Sequence, residues 1–438
     1  MSIFQWFIGL GANVMIPILL IIFALILGTK PAKAIKAGIT IGIGFIGLGL
    51  VIGLLVSSLG EAAQGMIANF GLKLDVIDVG WPATSAIAFS TALGSLAIPI
   101  GIGVNIVLLI FGLTKTLDID LWNFWHGAFI GSIIYATTNN FVLSVITIIS
   151  YYLFIFWMAD YMEPEISKFY GFSNITFPHG TSAPGYLIAK PMNFIFDRIP
   201  GFKDLDVSPE KIQKKFGLFG DSVVMGLIIG LIMGFLAGYD LSTTLNLGMK
   251  TAAVMMLMPR MVSLLMEGLE PISESASEFV KKRFPNRDIF IGMDSALSVG
   301  HPAVLSSSLI LVPITILLAV LLPGNRVLPF GDLATIPFIV CLMAAVFRGN
   351  IIRTVLGGTV YMGIGLYIAS WISPLFTKMA ENAKYDLAGN LYISSLADGS
   401  LYPTAIFVFF GKYLPFIGVV AFGLLMLGLL IYQNKIRK

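Results

Sequence analysis

Three histidines are the groups in this chain best suited to chemistry, and each lies in or beside apolar sequence. They are His126, His179 and His301, and each has a glycine, a proline or both among its near neighbours. An imidazole surrounded by apolar residues is costly to bury, so it often marks a binding site or a proton path. A structural histidine whose hydrogen bonds are satisfied by the fold is the alternative for each of the three.

The densest polar cluster is the run Pro178-His179-Gly180-Thr181-Ser182. Proline and glycine interrupt helices and leave backbone N–H and C=O groups unpaired. The imidazole and the two hydroxyls add further donors and acceptors, and the run carries no fixed charge. This combination favours a neutral ligand rich in hydroxyl groups, although a simple turn at the membrane surface would also fit.

Few carboxylates lie close to apolar segments. Asp294 follows Gly292-Met293, and Asp332 follows Phe330-Gly331. A carboxylate can accept hydrogen bonds from two sugar hydroxyls, and such charge-assisted bonds are strong. Helix N-caps are the alternative for both residues. Asp75 and Asp78 are interpreted as solvated loop charges.

The composition indicates an integral membrane protein. The chain has 438 residues, of which 57% are hydrophobic and 12% charged, and its mean hydropathy is +0.91. A soluble domain carries about 25% charged residues. The net charge of +3 gives no indication of nucleic-acid binding. The single cysteine, Cys341, cannot form an internal disulfide, and no phosphate-binding loop, zinc-ligand spacing or nucleophile elbow is present. We therefore expect no cofactor, no metal and no complete phosphoryl-transfer site.

The apolar stretches predict an all-α polytopic protein, because only helices satisfy the backbone of such segments in lipid. We predict eleven transmembrane helices. Two further segments, 79–96 and 290–305, are too short and interrupted to span the membrane and are predicted to be re-entrant hairpins. The eleven spans are roughly 7–28, 34–58, 97–114, 124–141, 143–160, 217–238, 243–265, 306–322, 331–347, 352–372 and 403–431.

Lysine and arginine fall mainly on one side of these spans, which predicts an outside N-terminus and a cytoplasmic C-terminus. Five spans in each half then make the halves two inverted repeats. The run Val79-Gly80-Trp81-Pro82-Ala83 returns as Val299-Gly300-His301-Pro302-Ala303 within the two hairpins. Paired, broken apolar segments of this kind indicate the substrate site of a transporter. Residues 373–402 are interpreted as an external loop without a readable motif.

Several motifs resemble the galactitol-specific enzyme IIC family of the bacterial phosphoenolpyruvate:sugar phosphotransferase system, within the ascorbate/galactitol superfamily. Two of the matching motifs are Pro178-His179-Gly180-Thr181-Ser182-Ala183 and Trp122-Asn123-Phe124-Trp125-His126, and the motifs are specific to the family when taken together. The others follow in order along the chain, at 36–38, 76–82, 214–217, 236–240, 250–255, 258–260, 300–301, 323–325, 328–335 and 348–350.

The resemblance implies a homodimeric permease of the bacterial inner membrane that works by an elevator mechanism. Its substrate would be a sugar alcohol, with galactitol the family's own. A separate enzyme IIB would phosphorylate this substrate from a phosphocysteine that enzyme IIA recharges. The scaffold would comprise 1–58 and 217–266, the mobile core 59–200 and 267–438, with a cytoplasmic linker at 201–216. The sugar contacts implied by the matching motifs are Trp81, His126, His179, Gly180, Thr181, Asp294, His301 and Asp332.

Two other functions remain open from the residues alone. An ion-coupled symporter for polyols or sugars would use Asp294 or Asp332 as its proton- or sodium-binding group. An autonomous membrane transferase would phosphorylate the sugar without a partner protein. A phosphorylated accumulated solute would distinguish the phosphotransferase permease from the symporter. Turnover of phosphoenolpyruvate and sugar by the purified chain alone would indicate the transferase.

Overall fold

The computed structural model describes residues 12–69, 74–202, 207–209, 211, 214, 218, 221–283, 288–329, 331–387 and 389–436. The elements are predominantly helical. Short strands and 3₁₀ turns lie between the helices.

The described residues up to Leu236 form eight helices and three strands. They are α1 (Ala12–Ile26), α2 (Pro31–Asn69), β1 (Val76–Asp78), α3 (Gly80–Phe89), α4 (Ala92–Ile110), β2 (Thr116–Asp118), α5 (Trp125–Thr138), α6 (Phe141–Tyr170), β3 (Ile175–Thr176), α7 (Ala183–Phe196) and α8 (Ser222–Leu236).

The second half continues with α9 and ends in a π-helical turn, Tyr432–Ile436. Its elements are α9 (Leu241–Arg283), β4 (Phe290–Gly292), α10 (Ala296–Val299), α11 (Pro302–Leu321), β5 (Val327–Leu328), α12 (Ile336–Val346), α13 (Ile351–Asn382), β6 (Tyr392–Ser394), α14 (Tyr402–Tyr413) and α15 (Ile417–Ile431).

Six helices in the described part of the chain are long and apolar enough to cross a membrane. They are Pro31–Val51 within α2, α4, α6, α11, α13 and the segment Ile417–Ile436. Val223–Leu236 and Leu333–Val346 are shorter apolar helices. These helices confirm a polytopic helical membrane protein, and the number eleven stays a prediction.

Two predicted spans are shorter than a full crossing. A 3₁₀ turn (Leu121–Phe124) leads into α5, and a second one (Leu333–Thr335) leads into α12. These helices have 14 and 11 residues. At 1.5 Å per residue they extend about 21 and 17 Å, against about 30 Å of hydrocarbon. The predictions of full spans at 124–141 and 331–347 were therefore wrong in length.

The predicted single span 403–431 is two helices. α14 ends at Tyr413 and α15 begins at Ile417. Pro415 cannot continue a helix because its ring clashes with the preceding turn. Phe416 adopts a φ of 57°, which turns the chain into a new helix axis.

Two very long helices dominate one part of the molecule. α2 has 39 residues and α9 has 43, and they pack along each other. A Cβ atom at Gly47 would come within 2.3 Å of Met261 Sδ, so this glycine permits the close approach of α2 to α9. α1 packs on α2, and α8 packs on α9. α9 continues as one helix through Pro271 to Arg283.

The six strands form two three-stranded parallel sheets, and in each sheet the central strand comes from one half of the chain and both outer strands from the other half. In the first sheet β1 lies between β5 and β6, with Val76 opposite Val327 and Tyr392. In the second sheet β4 lies between β2 and β3, with Ile291 opposite Leu117 and Ile175. Each sheet therefore joins the two halves of the chain, and the turns that follow its strands are brought together.

Candidate functional site

His179 lies in the turn between β3 and α7. The backbone N–H of Ala183 donates to the carbonyl of His179 (N···O 2.9 Å), which closes the turn before α7 begins. Its Nδ1 is 3.2 Å from Ser182 Oγ. Pro178 and Gly180 flank it, as the sequence predicts for an interrupted helix. The side chain is buried, so the fold holds an imidazole in a fixed position away from bulk solvent.

His126 lies in the first turn of α5 and reaches the same place. Its ring centroid is 4.8 Å from that of His179. Its Nδ1 is 2.9 and 3.1 Å from the two carboxylate oxygens of Asp398. His126 is completely buried, and its Nε2 has no hydrogen-bond partner among the residues that the structure describes. An unpaired buried polar atom costs about 1–3 kcal/mol, which a ligand hydroxyl could recover.

Asp294 approaches His179 from the second predicted hairpin. Its Oδ1 is 3.5 Å from His179 Nε2 and also accepts the backbone N–H of Ala296 (2.8 Å). Ser295 Oγ is 2.6 Å from Ser182 Oγ, which joins the β4 turn to the β3 turn. Asp294 retains 16% side-chain exposure. Its carboxylate is therefore still accessible to a bound solute.

Gly180 is required by the close packing of these groups. A Cβ atom at this position would lie 2.3 Å from Tyr151 Oη and 2.4 Å from His126 Cγ. Thr181 follows it and is buried. The structure thus brings four of the predicted contacts, His126, His179, Gly180 and Asp294, into one cluster, and Thr181 lies beside them in the chain.

Asp332 and Trp81 lie at the turns of the other sheet. Asp332 is fully buried, and its Oδ1 accepts the backbone N–H of Trp81 (2.6 Å) and Thr335 Oγ1 (3.1 Å). Its Oδ2 accepts Ser395 Oγ (2.6 Å) and the backbone N–H of Ala397 (2.9 Å). Four donors of the protein itself therefore satisfy this carboxylate. It fixes the turns after β1, β5 and β6.

Asp78 belongs to the same turn cluster. It accepts the backbone N–H of Asp332 (2.8 Å) and is completely buried. The interpretation of Asp78 as a solvated loop charge was therefore wrong, because the strand preceding it ends inside the protein. Asp75 is partly exposed and forms an ion pair with Arg326.

His301 has a different environment. It is the N-cap of α11, and its Nδ1 accepts the backbone N–H of Ala303 (3.2 Å). Its ring packs 4.5 Å from that of Phe169 and 5.6 Å from that of Tyr170. Trp81, its apparent counterpart in the sequence, instead lies at the start of α3. The run around Trp81 thus begins α3, the helix before the break in its segment. The run around His301 instead begins α11, the helix after the break in its segment.

The sequence interpretation missed Asp398 and Ser395. Both lie in the segment 373–402, which was interpreted as an external loop. α13 occupies this segment as far as Asn382, and after β6 the chain is buried again at Ser395 and Asp398. A signal was present, because Asp398-Gly399-Ser400 with Pro403 repeats the spacing of His179-Gly180-Thr181 with Pro184.

The cluster offers imidazole, carboxylate and hydroxyl groups around a buried, unpaired nitrogen. No group of three or more His, Cys, Asp or Glu positioned to hold a metal ion occurs in the described ranges. Turns from both halves of the chain, after β3 and after β4, meet at these buried polar groups. Such an arrangement inside a polytopic helical protein is typical of a membrane permease for a polar solute.

Comparison with known proteins identifies the family. Residues 6–389 match the family described as "PTS system sugar-specific permease component" (EIIC-GAT), and the chain belongs to this family. It is 42% identical over 399 residues to "PTS system galactitol-specific EIIC component" of Escherichia coli strain K12, covering 91% of this chain and 88% of that protein. The protein of the same description from E. coli O157:H7 matches equally.

A further relative, described as a permease IIC component of E. coli K12, is 36% identical over 400 residues, covering 91% of this chain and 92% of that protein. The resemblance inferred from the motifs is confirmed. The chain is a multi-pass protein of the bacterial inner membrane. It transports a sugar substrate in cooperation with enzymes IIB and IIA, and transport is coupled to phosphorylation. The ion-coupled alternative receives no support.

Proposed function

We propose that this permease carries galactitol, or a closely related acyclic polyol, and presents it to the enzyme IIB phosphocysteine. The observation that carries the proposal is the meeting of His126, His179 and Asp294 in one buried cluster. The 42% identity to a galactitol-specific component supports the choice of substrate.

The chemistry of the cluster suits a neutral polyol. Imidazole, hydroxyl and carboxylate groups can pair with the several donors and acceptors of an open-chain sugar alcohol. No Lys or Arg is among the described hydrogen-bond or ion-pair partners of His126, His179 or Asp398. Phosphorylation adds up to about two negative charges, which this cluster cannot compensate. The phosphorylated product is therefore expected to leave towards the cytoplasm and not to return.

We propose direct contacts with the sugar for His126, His179, Gly180, Thr181 and Asp294. Trp81 remains a proposed contact through its partly exposed ring. For Asp332 we propose an indirect role, since its oxygens already accept four hydrogen bonds from the protein. For His301 we propose the role of a helix cap within an aromatic cluster.

Two inverted repeats are proposed to enclose the site. The order strand, broken helical segment, strand, 3₁₀ turn, short helix, long helix and strand occurs from β1 to β3 and again from β4 to β6. In both series an asparagine, Asn140 or Asn350, caps the long helix. The reciprocal sheets support the same relation, since the first strand of each series lies between the second and third strands of the other.

The scaffold and core assignment is proposed with its original boundaries. Mutual packing of α1, α2, α8 and α9 supports a scaffold at 1–58 and 217–266, joined by the linker 201–216 to a core at 59–200 and 267–438. We propose that the core moves against this scaffold as an elevator and that two scaffolds form a homodimer. The lysine and arginine distribution supports an outside N-terminus and a cytoplasmic C-terminus.

Uptake of a panel of labelled polyols tests the proposal. Cells that express the chain with and without its IIB partner are compared, and the accumulated solute is identified chemically. Accumulation of galactitol phosphate only when IIB is present is the expected result. Unmodified galactitol that disappears when the ion gradient collapses would contradict it, and so would phosphorylation of another sugar in preference to galactitol.

A further inference from the structure

The environment of Asp398 suggests a role for a residue that the sequence motifs do not assign. Asp398 is buried and lies in the turn after β6, where Thr404 Oγ1 donates to its backbone carbonyl (2.8 Å). The neighbouring Ala397 is held through its backbone N–H by Asp332 (2.9 Å). These bonds hold the backbone at Asp398 independently of His126.

The contact between Asp398 and His126 determines which nitrogen of the imidazole carries the proton. The Asp398 carboxylate lies 2.9 Å from His126 Nδ1, and no other hydrogen-bond partner of this carboxylate occurs among the described contacts. The group bonded to one nitrogen of an imidazole decides which nitrogen carries the proton. A carboxylate accepts a hydrogen bond at Nδ1, so the proton stays on Nδ1. Nε2, which has no hydrogen-bond partner among the described residues, then presents a lone pair.

We propose that Asp398 is a positioning residue that keeps His126 Nε2 as the acceptor for the attacking hydroxyl of the polyol. The proposal rests on the proposed function, because it requires a hydroxyl-bearing substrate in the cluster. Asp398 itself does not touch the substrate and acts through His126.

In the proposed phosphoryl transfer, the polyol oxygen forms a bond to phosphorus while the S–P bond of the IIB phosphocysteine breaks. The hydroxyl proton passes to His126 Nε2, and the thiolate remains on IIB. Asp398 stabilises the imidazolium that forms, as the buried aspartate does in hydrolases that use a serine, a histidine and an aspartate. His126 returns to its neutral form when the proton passes to water.

Two substitutions of Asp398 distinguish positioning from simple packing. Asp398→Asn keeps the size of the side chain, but its amide donates to Nδ1 and moves the imidazole proton to Nε2, where it blocks the acceptor. Asp398→Ala removes the partner and leaves both tautomers accessible. We therefore expect Asp398→Asn to reduce kcat by about 10²- to 10⁴-fold. Asp398→Ala should reduce kcat by a smaller factor. A packing role predicts the reverse order, because alanine leaves a cavity.

The experiment measures galactitol phosphorylation by purified full-length permease in proteoliposomes, with saturating phosphorylated IIB. Equilibrium binding of labelled galactitol is measured in parallel. Asp386→Asn, an exposed change in the same 373–402 segment, is the matched control and should behave as wild type. Affinity within about threefold of wild type, together with the large loss of kcat in Asp398→Asn, supports positioning. Unchanged kcat, or alanine slower than asparagine, overturns it.

A double substitution tests whether Asp398 acts through His126. If it does, Asp398→Asn adds no further loss of kcat when combined with His126→Ala, because residues that work as one unit are not additive. Full additivity overturns the proposal. If the asparagine variant does not fold, Asp398→Ala decides alone: kcat reduced at least tenfold with near-normal affinity supports the role, and unchanged kcat overturns it. Failure of the wild-type protein to bind galactitol would instead refute the proposed substrate.

Discussion

Replacing Gly180 by alanine tests whether the packed cluster of His126 and His179 is the sugar site. The added methyl group would lie 2.3 Å from Tyr151 Oη and 2.4 Å from His126 Cγ. Non-bonded atoms of this kind are normally about 3.5–4.0 Å apart. Both neighbours must therefore move by roughly 1 Å, and movement of the His126 ring strains its 2.9 Å bond to Asp398.

The expected magnitude follows from the cost of overpacking a buried site. One additional methyl group in a filled interior costs about 1–3 kcal/mol. If the site carries this cost on binding, galactitol affinity falls by about 5- to 140-fold, since 1.4 kcal/mol corresponds to a factor of ten. If the overpacking already strains the folded protein without galactitol, the cost lowers the free energy of unfolding instead. Both quantities are therefore measured, by equilibrium binding of labelled galactitol and by thermal unfolding of the purified protein.

Gly103→Ala is the matched control. Gly103 lies in α4, and a Cβ atom there would meet nothing within 4 Å. Its substitution should leave galactitol affinity unchanged and could slightly favour the helix. A galactitol affinity of Gly180→Ala within twofold of both the wild type and Gly103→Ala, together with an unchanged melting temperature, would contradict this placement of the sugar site.

Three further predictions concern His179, the buried Asp332 and the orientation of the chain in the membrane. His179→Ala should reduce IIB-dependent galactitol uptake below about a tenth of wild type while the purified protein elutes as wild type; normal uptake would remove His179 from the site. Asp332→Ala should lower the free energy of unfolding by about 2–6 kcal/mol, because the backbone N–H groups of Trp81 and Ala397 lose their acceptor. Asp75→Ala, which breaks an exposed ion pair, should cost at most about 1 kcal/mol. Equal melting temperatures for Asp332→Ala and Asp75→Ala would contradict the structural role of Asp332. In a Cys341→Ala background, an impermeant maleimide added outside intact cells should label Lys384→Cys and leave Lys33→Cys unlabelled; the opposite pattern would reverse the proposed orientation.

The fold class and the central histidines could be predicted from the sequence for physical reasons. Long apolar segments require helices in lipid, and an interrupted apolar segment requires protein around its free backbone groups. His126 and His179 each belong to such an interruption or to the start of a short helix. The sequence did not show that these residues meet each other, because their contact depends on the parallel pairing of β2 and β3 with β4.

Other features were hidden because local similarity does not determine register. The matching runs around Trp81 and His301 suggested equivalent positions, yet Trp81 lies in the first turn of α3 and His301 caps α11. The spacing of Asp398 and Pro403 repeats that of His179 and Pro184, but the burial of Asp398 depends on the pairing of β6 with β1, which local sequence does not show. The break before α15 was visible at Pro415, but the long apolar stretch around it outweighed that signal.

A structure of the full-length permease with bound galactitol would show whether the sugar occupies the cluster of His126, His179 and Asp294. One galactitol hydroxyl should then lie within about 3 Å of His126 Nε2, with others near His179 and Asp294. Galactitol bound elsewhere, for example in the pocket between α2 and α9 that Glu61 and Lys250 line, with His126 Nε2 still unpaired, would contradict it.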